Sequence, residues 1–339
     1  MSVNLHVGAK VHPMSFKDFI ETSPGYSVAL DGYVAEGPKF VQHKQLGGLV
    51  VPYANFNHHE GVSRLETRST CAQVLLALRM GLFDAFREDG ERQLTAYVND
   101  CDEDVSLSWF LLSHAHIAEV VMNPILNRLV AVEDFLDTTA GAYPLSHNLP
   151  LLEELAWVFD PYRQFRQRGG LERRDDDAFA GIIEDVGNRI EKHIVGSGKR
   201  LKLDTEWAYW TDKRNPLHAM SDNHSWHMVK EIGRHARLSL FSMGVRAYVS
   251  VSQQSDNRWR YTVGRVSPFI PFDVPAILAS LNDAERTTTD RWGGSDLVGG
   301  SPRVDGSVLT PIEVAEVVND VLRRGPQALS PADEMLSRL

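Results

Sequence analysis

The segment GLVVPYANFNHHEG, residues 48–61, decides how the N-terminal half of this chain is read. An apolar run of strand length ends in a polar loop carrying two adjacent histidines, His58 and His59, with Glu60 behind them. A strand precedes it, SVALD at 27–31. A helix follows it: TCAQVLLALRM, residues 70–80, places apolar groups at three- and four-residue spacing between Ser69 and Gly81. The succession then returns. LTAYV at 94–98 reads as a strand, ends at the acidic stretch NDCDEDV (99–105), and leads into SLSWFLLSHAHIA (106–118), a largely buried helix. NRLVAV at 127–132 reads as another strand, ending at Glu133, Asp134 and Asp137. Strands alternating with helices predict an α/β fold, with a mainly parallel sheet flanked by helices. In such folds the carboxyl ends of the strands present ligand-binding groups.

Residues 148–195 read as helical, with the charge runs RQFRQR (163–168) and RRDDD (173–177) on a solvated face or an interdomain connection. Beyond residue 236 the character changes. LSLFSMG (238–244), VRAYVSVSQ (245–253) and WRYTVGR (259–265) read as antiparallel strands around a turn at 255–257. A helix at 273–281, the glycine-rich loop WGGSDLVGGSPR (292–303) and a last helix from Pro311 follow. These features predict a second, smaller α/β domain containing antiparallel strands. The expected division is residues 1–200, including a helical connector, and residues 201–339.

Composition limits the function. The 339 residues are 43% apolar and 24% charged, ordinary for a globular protein. A formal charge of −10 argues against a partner as long and anionic as a nucleic acid, but leaves room for a small phosphorylated ligand in a locally positive pocket. Cys71 and Cys101 are the only cysteines, so a reducing, cytoplasmic setting is expected. No apolar run reaches the length of a membrane span, and a homodimer is possible.

Asp100, Asp102 and Asp104 alternate, and consecutive strand residues point to opposite faces, so alternate acids can converge on one side. Three close carboxylates repel, and a divalent cation relieves that repulsion. Oxygen donors suit Mg²⁺ or Mn²⁺, and the imidazoles of His58 and His59 tilt the choice toward Mn²⁺. The plain alternative is an acidic turn in which one acid caps the following helix. It is not an EF-hand, because Val105 and Leu111 stand where the loop needs Gly and Glu. Arg64 and Arg68 follow the histidines and lead into a helix N-terminus, a combination suited to an oxyanion beside a metal. They could equally be an exposed pair of surface charges.

Together these stretches resemble the DHH phosphoesterases. Phe56-Asn57-His58-His59 followed by Arg68-Ser69-Thr70-Cys71 is similar to the family's Asp-His-His motif and the helix start behind it. Asp100, Asp102 and Asp104 resemble its spaced strand-end aspartates, and Asp134 and Asp137 a further strand-end acid. Arg265 and Ser267, with Gly293, Gly294, Ser295, Gly299, Gly300, Ser301 and Arg303, resemble the Arg-Ser element and glycine-rich loop of the associated substrate domain. The resemblance departs from the family in two places. Asn57 replaces the Asp, and the spaced aspartates follow the histidine pair where the family puts them before it.

The resemblance implies one or two Mn²⁺ or Mg²⁺ ions held by His58, His59 and the aspartates in a cleft between the domains. The reaction would be hydrolysis of a small phosphorylated or nucleotide substrate. His59 would orient the nucleophile or protonate the leaving group, and Arg64, Arg68 or Arg303 would neutralise phosphoryl charge. Two other readings remain. His58, His59 and one carboxylate could serve a non-phosphate metal hydrolase or an Fe(II) oxygenase. Alternatively, Asn57 could mark a catalytically inactive, nucleotide-sensing relative.

Other histidines carry less. His114 and His116 fall within a helical apolar run and read as buried or flanking groups. His224 and His227, with His218 and His235, read as a polar helix start lining a cleft. Neither cysteine looks nucleophilic.

Overall fold

The computed structural model describes residues 2–45, 48–146, 148–211, 226–255, 257–286, 290–302 and 306–325. The chain divides into two compact units, Met1–Gly141 with Asn148–Leu203, and Ala142–His147 with Asp204–Leu339.

In the first unit, β1 (Ser2–Val7), α1 (Phe16–Thr22), β2 (Ser27–Leu30), β3 (Lys39–Lys44) and β4 (Val50–Phe56) are followed by α2 (Thr70–Arg79), α3 (Leu82–Ala85), β5 (Arg87–Glu88) and β6 (Glu91–Val98). Then come α4 (Glu103–Ser113), α5 (Pro124–Thr138), α6 (Pro150–Val158), α7 (Asp160–Gln167) and α8 (Asp176–Ile194). The sheet order is β1-β6-β2-β4-β3, with β5 paired to β6. β1, β6, β2 and β4 are mutually parallel; β3 and β5 run antiparallel to their neighbours. β2 is buried along its whole length, as a central strand must be when layers cover both faces. Phe16 and Phe19 of α1 pack on one face against Tyr33, Tyr53 and Tyr97. The α/β architecture expected from the sequence is present.

One element differs. Residues 127–132, expected as a strand, belong to α5. The side chain of Asn123 accepts from the amides of Ile125 (2.9 Å) and Leu126 (3.1 Å), and Pro124 occupies the first turn, both strong helix-start signals. Buried Leu126, Leu129, Val130, Glu133 and Leu136 follow helical spacing. Asp134 and Asp137 therefore project from a helix, not from a strand end.

The second unit contains β7 (Trp207–Tyr209), β8 (His227–Glu231), α9 (Ala236–Ser242), β9 (Ala247–Ser255), β10 (Arg258–Arg265), α10 (Val274–Glu285), β11 (Gly293–Gly294), β12 (Val298–Gly300) and α11 (Pro311–Arg324). Its sheet, β11-β12-β10-β9-β8-β7, is antiparallel except for the β8–β9 pair. That exception explains the second difference. Residues 238–244 were expected as a strand, but parallel neighbours need a crossover, and α9 supplies it, closed by Gly244 at φ +89°. Among the described residues no helix is long and apolar enough to cross a membrane.

Candidate metal centre

β6, β2 and β4 are adjacent and parallel, so their carboxyl ends open on one edge of the sheet. β2 is followed directly by Asp31 (φ +47°) and Gly32 (φ +81°). Two consecutive left-handed residues turn the chain away at once, and Asp tolerates that conformation better than most side chains. The Asp31 amide still donates to Phe56 O at 2.9 Å, which keeps the loop after β4 level with it. There stand Asn57, His58 and His59, the first two fully buried.

His58 is the centre of the arrangement. Its Nε2 lies 2.8 Å from Asp137 Oδ2, 3.5 Å from Asp31 Oδ1 and 3.7 Å from Asp104 Oδ2. These carboxylates come from α5, the end of β2 and the first turn of α4. His59 Nε2 meets the same Asp31 oxygen at 2.9 Å. The donors form two groups, Asp31-His58-His59 and His58-Asp104-Asp137, each within 4.8 Å. Despite the 2.8 Å approach, Asp137 Oδ2 has no aligned hydrogen bond, and neither has His58 Nδ1. Asp137 Oδ2 lies on the Nε2 side of the ring with the other donors, whereas Nδ1, on another edge of the imidazole, diverges from them, so only the carboxylate oxygen bears on the cluster. An imidazole nitrogen carries one lone pair, so His58 Nε2 serves one cation at a time, and a second ion would depend on the carboxylates.

The N-terminus of α2 holds the acids in place. The Thr70 and Cys71 amides donate to the two oxygens of Asp104, each at 2.7 Å, and the Ser69 amide donates to Asp134 Oδ1 at 2.7 Å. The Ala72 amide donates to Ser69 Oγ. The first four amides from Ser69 are thus taken, and none is left for a phosphate, contrary to the expected oxyanion site at this helix start. Carboxylates at a helix N-terminus are favoured by the same partial charge that would attract phosphate.

The other expected ligands lie differently. Asp102 is the N-cap of α4, its Oδ1 accepting from the Val105 amide at 2.9 Å. Asp100 accepts from the Cys101 amide at 2.7 Å. Asp134 faces Ser69 and Arg68. None of the three belongs to either group of donors. Arg64 points inward, 3.5 Å from His58 Nε2 and 3.7 Å from Asp137 Oδ1, with 11% of its side chain exposed. Arg68 points outward to Asp134 at 3.3 Å, 64% exposed. Asp31 is the member that the sequence reading missed, taken there as a strand end before a turn. The available signal was an apolar strand run leading into an acid, as read at residue 100.

Asn57 is committed to structure. Its Nδ2 reaches Val34 O (3.1 Å), Glu36 O (3.0 Å) and Glu60 Oε2 (2.9 Å), while its Oδ1 accepts from the His59 amide (3.0 Å). An aspartate could not donate to those three acceptors. Asn57→Asp should therefore lower folding stability by about 2–3 kcal/mol, the cost of buried acceptors left facing a charge. Urea denaturation measures it; an unchanged midpoint would mean that this side chain does not anchor the loop.

Buried acids outnumber cations here, and their titration reflects it. Burial raises Asp100 and Asp102, with Asp31 adding repulsion to each. Burial, then Asp137 and Asp31, push Asp104 up to about 8. Burial opposes charge on His58, yet Asp137 and Asp31 more than offset it and hold the imidazole up to about 10. Burial likewise works against His59, and Asp31 raises it. Asp31 itself, despite burial, is lowered by His59 and His58. Crowded oxygens, two imidazoles and an unaligned buried carboxylate oxygen fit a divalent cation of hard to intermediate character. Either group of donors could hold one.

In the second unit the glycine-rich stretch forms a tight hairpin. Gly293 and Gly294 pair with Gly300 and Gly299, and a Cβ on Gly294 would lie 2.3 Å from Val298 O. A Cβ on Gly299 would strike Leu278 of α10 at 2.4 Å. Ser295 Oγ accepts from the Leu297 and Val298 amides, and Ser301 Oγ from the Tyr261 amide. Arg265 donates to the carbonyls of Asp296, Pro268 and Ile270, while the Ser267 carbonyl accepts from the Ile270 amide. Close backbone approach thus accounts for Gly294 and Gly299 without a ligand. Beside the hairpin is an open cleft of about 450 Å³ lined in part by Arg291, Gly293, Gly294, Gly300 and Ser301. Arg303, His218 and His224 lie outside the described residues. His227, expected in a helix start, instead begins strand β8, and His235 occupies the N-cap position of α9 without a side-chain capping bond. His114 stacks on Phe110 and meets Glu191, away from both groups of donors.

No family model matches the chain. A search of curated proteins finds no match either. Site geometry and the resemblance of short motifs carry the functional reading.

Proposed function

We propose that this protein is a metal-dependent phosphoester hydrolase resembling the DHH phosphoesterases, using Mn²⁺ or Mg²⁺ on a small phosphorylated or nucleotide substrate. The observation that supports it most is the convergence of Asp31, Asp104 and Asp137 on His58 Nε2. Asp31 adds a second support. It ends a strand upstream of the histidine pair, so a strand-end aspartate precedes the His-His element, in the family's usual order.

When bound, a divalent cation acts as a Lewis acid and brings the pKa of water near neutrality. Asp31, His58, Asp104 and Asp137 would hold it. His59, whose side chain is 33% exposed and whose Nε2 meets Asp31, would pass a proton to the leaving oxygen. Arg64 would neutralise charge building on the non-bridging phosphoryl oxygens. Arg68, engaged with Asp134, is a weaker candidate for that task.

One observation favours a second reading. Asp31, His58 and His59 form a two-histidine, one-carboxylate set, which also suits Fe(II). Metal analysis of the purified protein, joined to a panel of phosphomonoesters and nucleotides assayed with Mn²⁺, separates the two. Mn²⁺-dependent phosphate release is expected. Tightly bound iron with no phosphate released from any substrate would overturn the proposal.

A further inference from the structure

We infer that Thr70 is the positioning residue that sets two of the three carboxylate oxygens facing His58, those of Asp31 and Asp104. The inference rests on the reading of this cluster as a cation site. Thr70 is fully buried at the first position of α2. Its hydroxyl donates to Asp31 Oδ1 at 3.0 Å and its amide to Asp104 Oδ2 at 2.7 Å. Those are the same two oxygens that stand 3.5 Å and 3.7 Å from His58 Nε2. One residue thereby grips an acid from the end of β2 and an acid from α4, and fixes their separation.

Ordinary helix capping does not explain the hydroxyl. The cap is Ser69, whose Oγ accepts from the Ala72 amide. The Thr70 hydroxyl instead leaves the helix and reaches across to β2. A carboxylate oxygen has two lone pairs. With one of them on Asp31 Oδ1 occupied by Thr70, the other is directed toward the two imidazoles. The Asp104 oxygen is treated alike, by a backbone amide that no side-chain replacement removes. Thr70 thus joins the two groups of donors.

The amide and the hydroxyl can be separated by substitution. Thr70→Val keeps the amide, the shape and the grip on Asp104, and removes the hydroxyl that donates to Asp31 at 3.0 Å and lies 3.4 Å from the Phe56 carbonyl. Mn²⁺ binding to the full chain, without substrate, is followed by the electron paramagnetic resonance of free Mn²⁺. Thr70→Val should weaken binding about 10–100-fold, the usual effect of removing a group that orients a metal ligand. Thr70→Ser, which restores the hydroxyl, should bind as the wild type does. Thr70→Ala, free of a buried branched side chain, should repeat the loss and serves if the valine variant does not fold.

Wild-type affinity in Thr70→Val or Thr70→Ala would overturn the inference, as would a folded Thr70→Ser that fails to restore binding. A lower melting temperature in the metal-free variant with Mn²⁺ affinity intact would mean a merely structural role, and overturns it too. Absence of Mn²⁺ binding in the wild type is a different failure. It removes the cation site itself and is seen before any variant is made.

Discussion

His58→Ala should abolish divalent cation binding, a larger loss than any other single substitution in the site. His58 belongs to both groups of donors, and its Nε2 is the one nitrogen approached by Asp31, Asp104 and Asp137. Removing it deletes the ligand and leaves three carboxylates facing one another, which raises their affinity for protons at the expense of metal. The expected fall in Mn²⁺ affinity exceeds the roughly 10–100-fold typical of removing a residue behind a ligand. Turnover should fall with it. His59→Ala is the control. It belongs to one group only, so binding at Asp104 and Asp137 should survive while turnover drops through loss of the proposed proton carrier. Isothermal titration with Mn²⁺, run beside thermal melts to confirm folding, measures both. If a folded His58→Ala bound Mn²⁺ like the wild type, the centre would lie elsewhere.

Cation affinity should also rise with pH between about 6 and 9, and binding should release protons. In the cation-free protein Asp104 is pushed up to about 8 and His58 up to about 10, so both carry protons near neutrality and a metal must displace them. The sign for stability follows from the same shifts. A group whose folded pKa is raised contributes stability below its unfolded value, about 3.9 for Asp and 6.5 for His. That contribution is lost as pH climbs through the folded value. The cation-free protein should therefore lose stability from about pH 4 upward through Asp104, and more steeply from about pH 6.5, where the His58 window overlaps. Mn²⁺ at a hundredfold excess over Kd returns about 2.7 kcal/mol. Melting curves with chelator and with Mn²⁺ across this range measure the gap, which should widen with pH. A gap of constant size would show that no ligand proton is displaced, and would place the metal on groups other than Asp104 and His58.

Much of the fold was readable because its signals are local. Ser69 and Gly81 bracket α2, Asp273 and Pro275 open α10, and the strand at 27–30 has the apolar run of a buried element. Two of the misread segments failed for a shared reason. Residues 127–132 and 238–244 are short apolar runs that suit a strand or a buried helix equally. Capping by Asn123 settles the first. The parallel pairing of β8 with β9 settles the second, and that pairing is invisible in a window of seven residues.

The site divides in the same way. Residue types and strand-end positions mark His58, His59 and Asp104 as candidates, since they sit beside recognisable apolar runs. Asp137 was singled out on a mistaken strand, yet α5 carries it to His58. Nothing in the local sequence separates Asp104, which faces His58, from Asp102, which caps α4, or Arg64, turned inward, from Arg68, turned outward.

The sequence by itself determined the alternation of strands and helices, the stock of oxygen and imidazole donors, and the α/β class, because these follow from periodicity and composition. Tertiary structure alone decided that Asp31 joins the cluster, that Asn57 ties down a loop, and that Thr70 holds two distant acids. Each depends on which strands lie side by side and on how each chain leaves its strand. Those choices are set by packing between residues far apart along the chain.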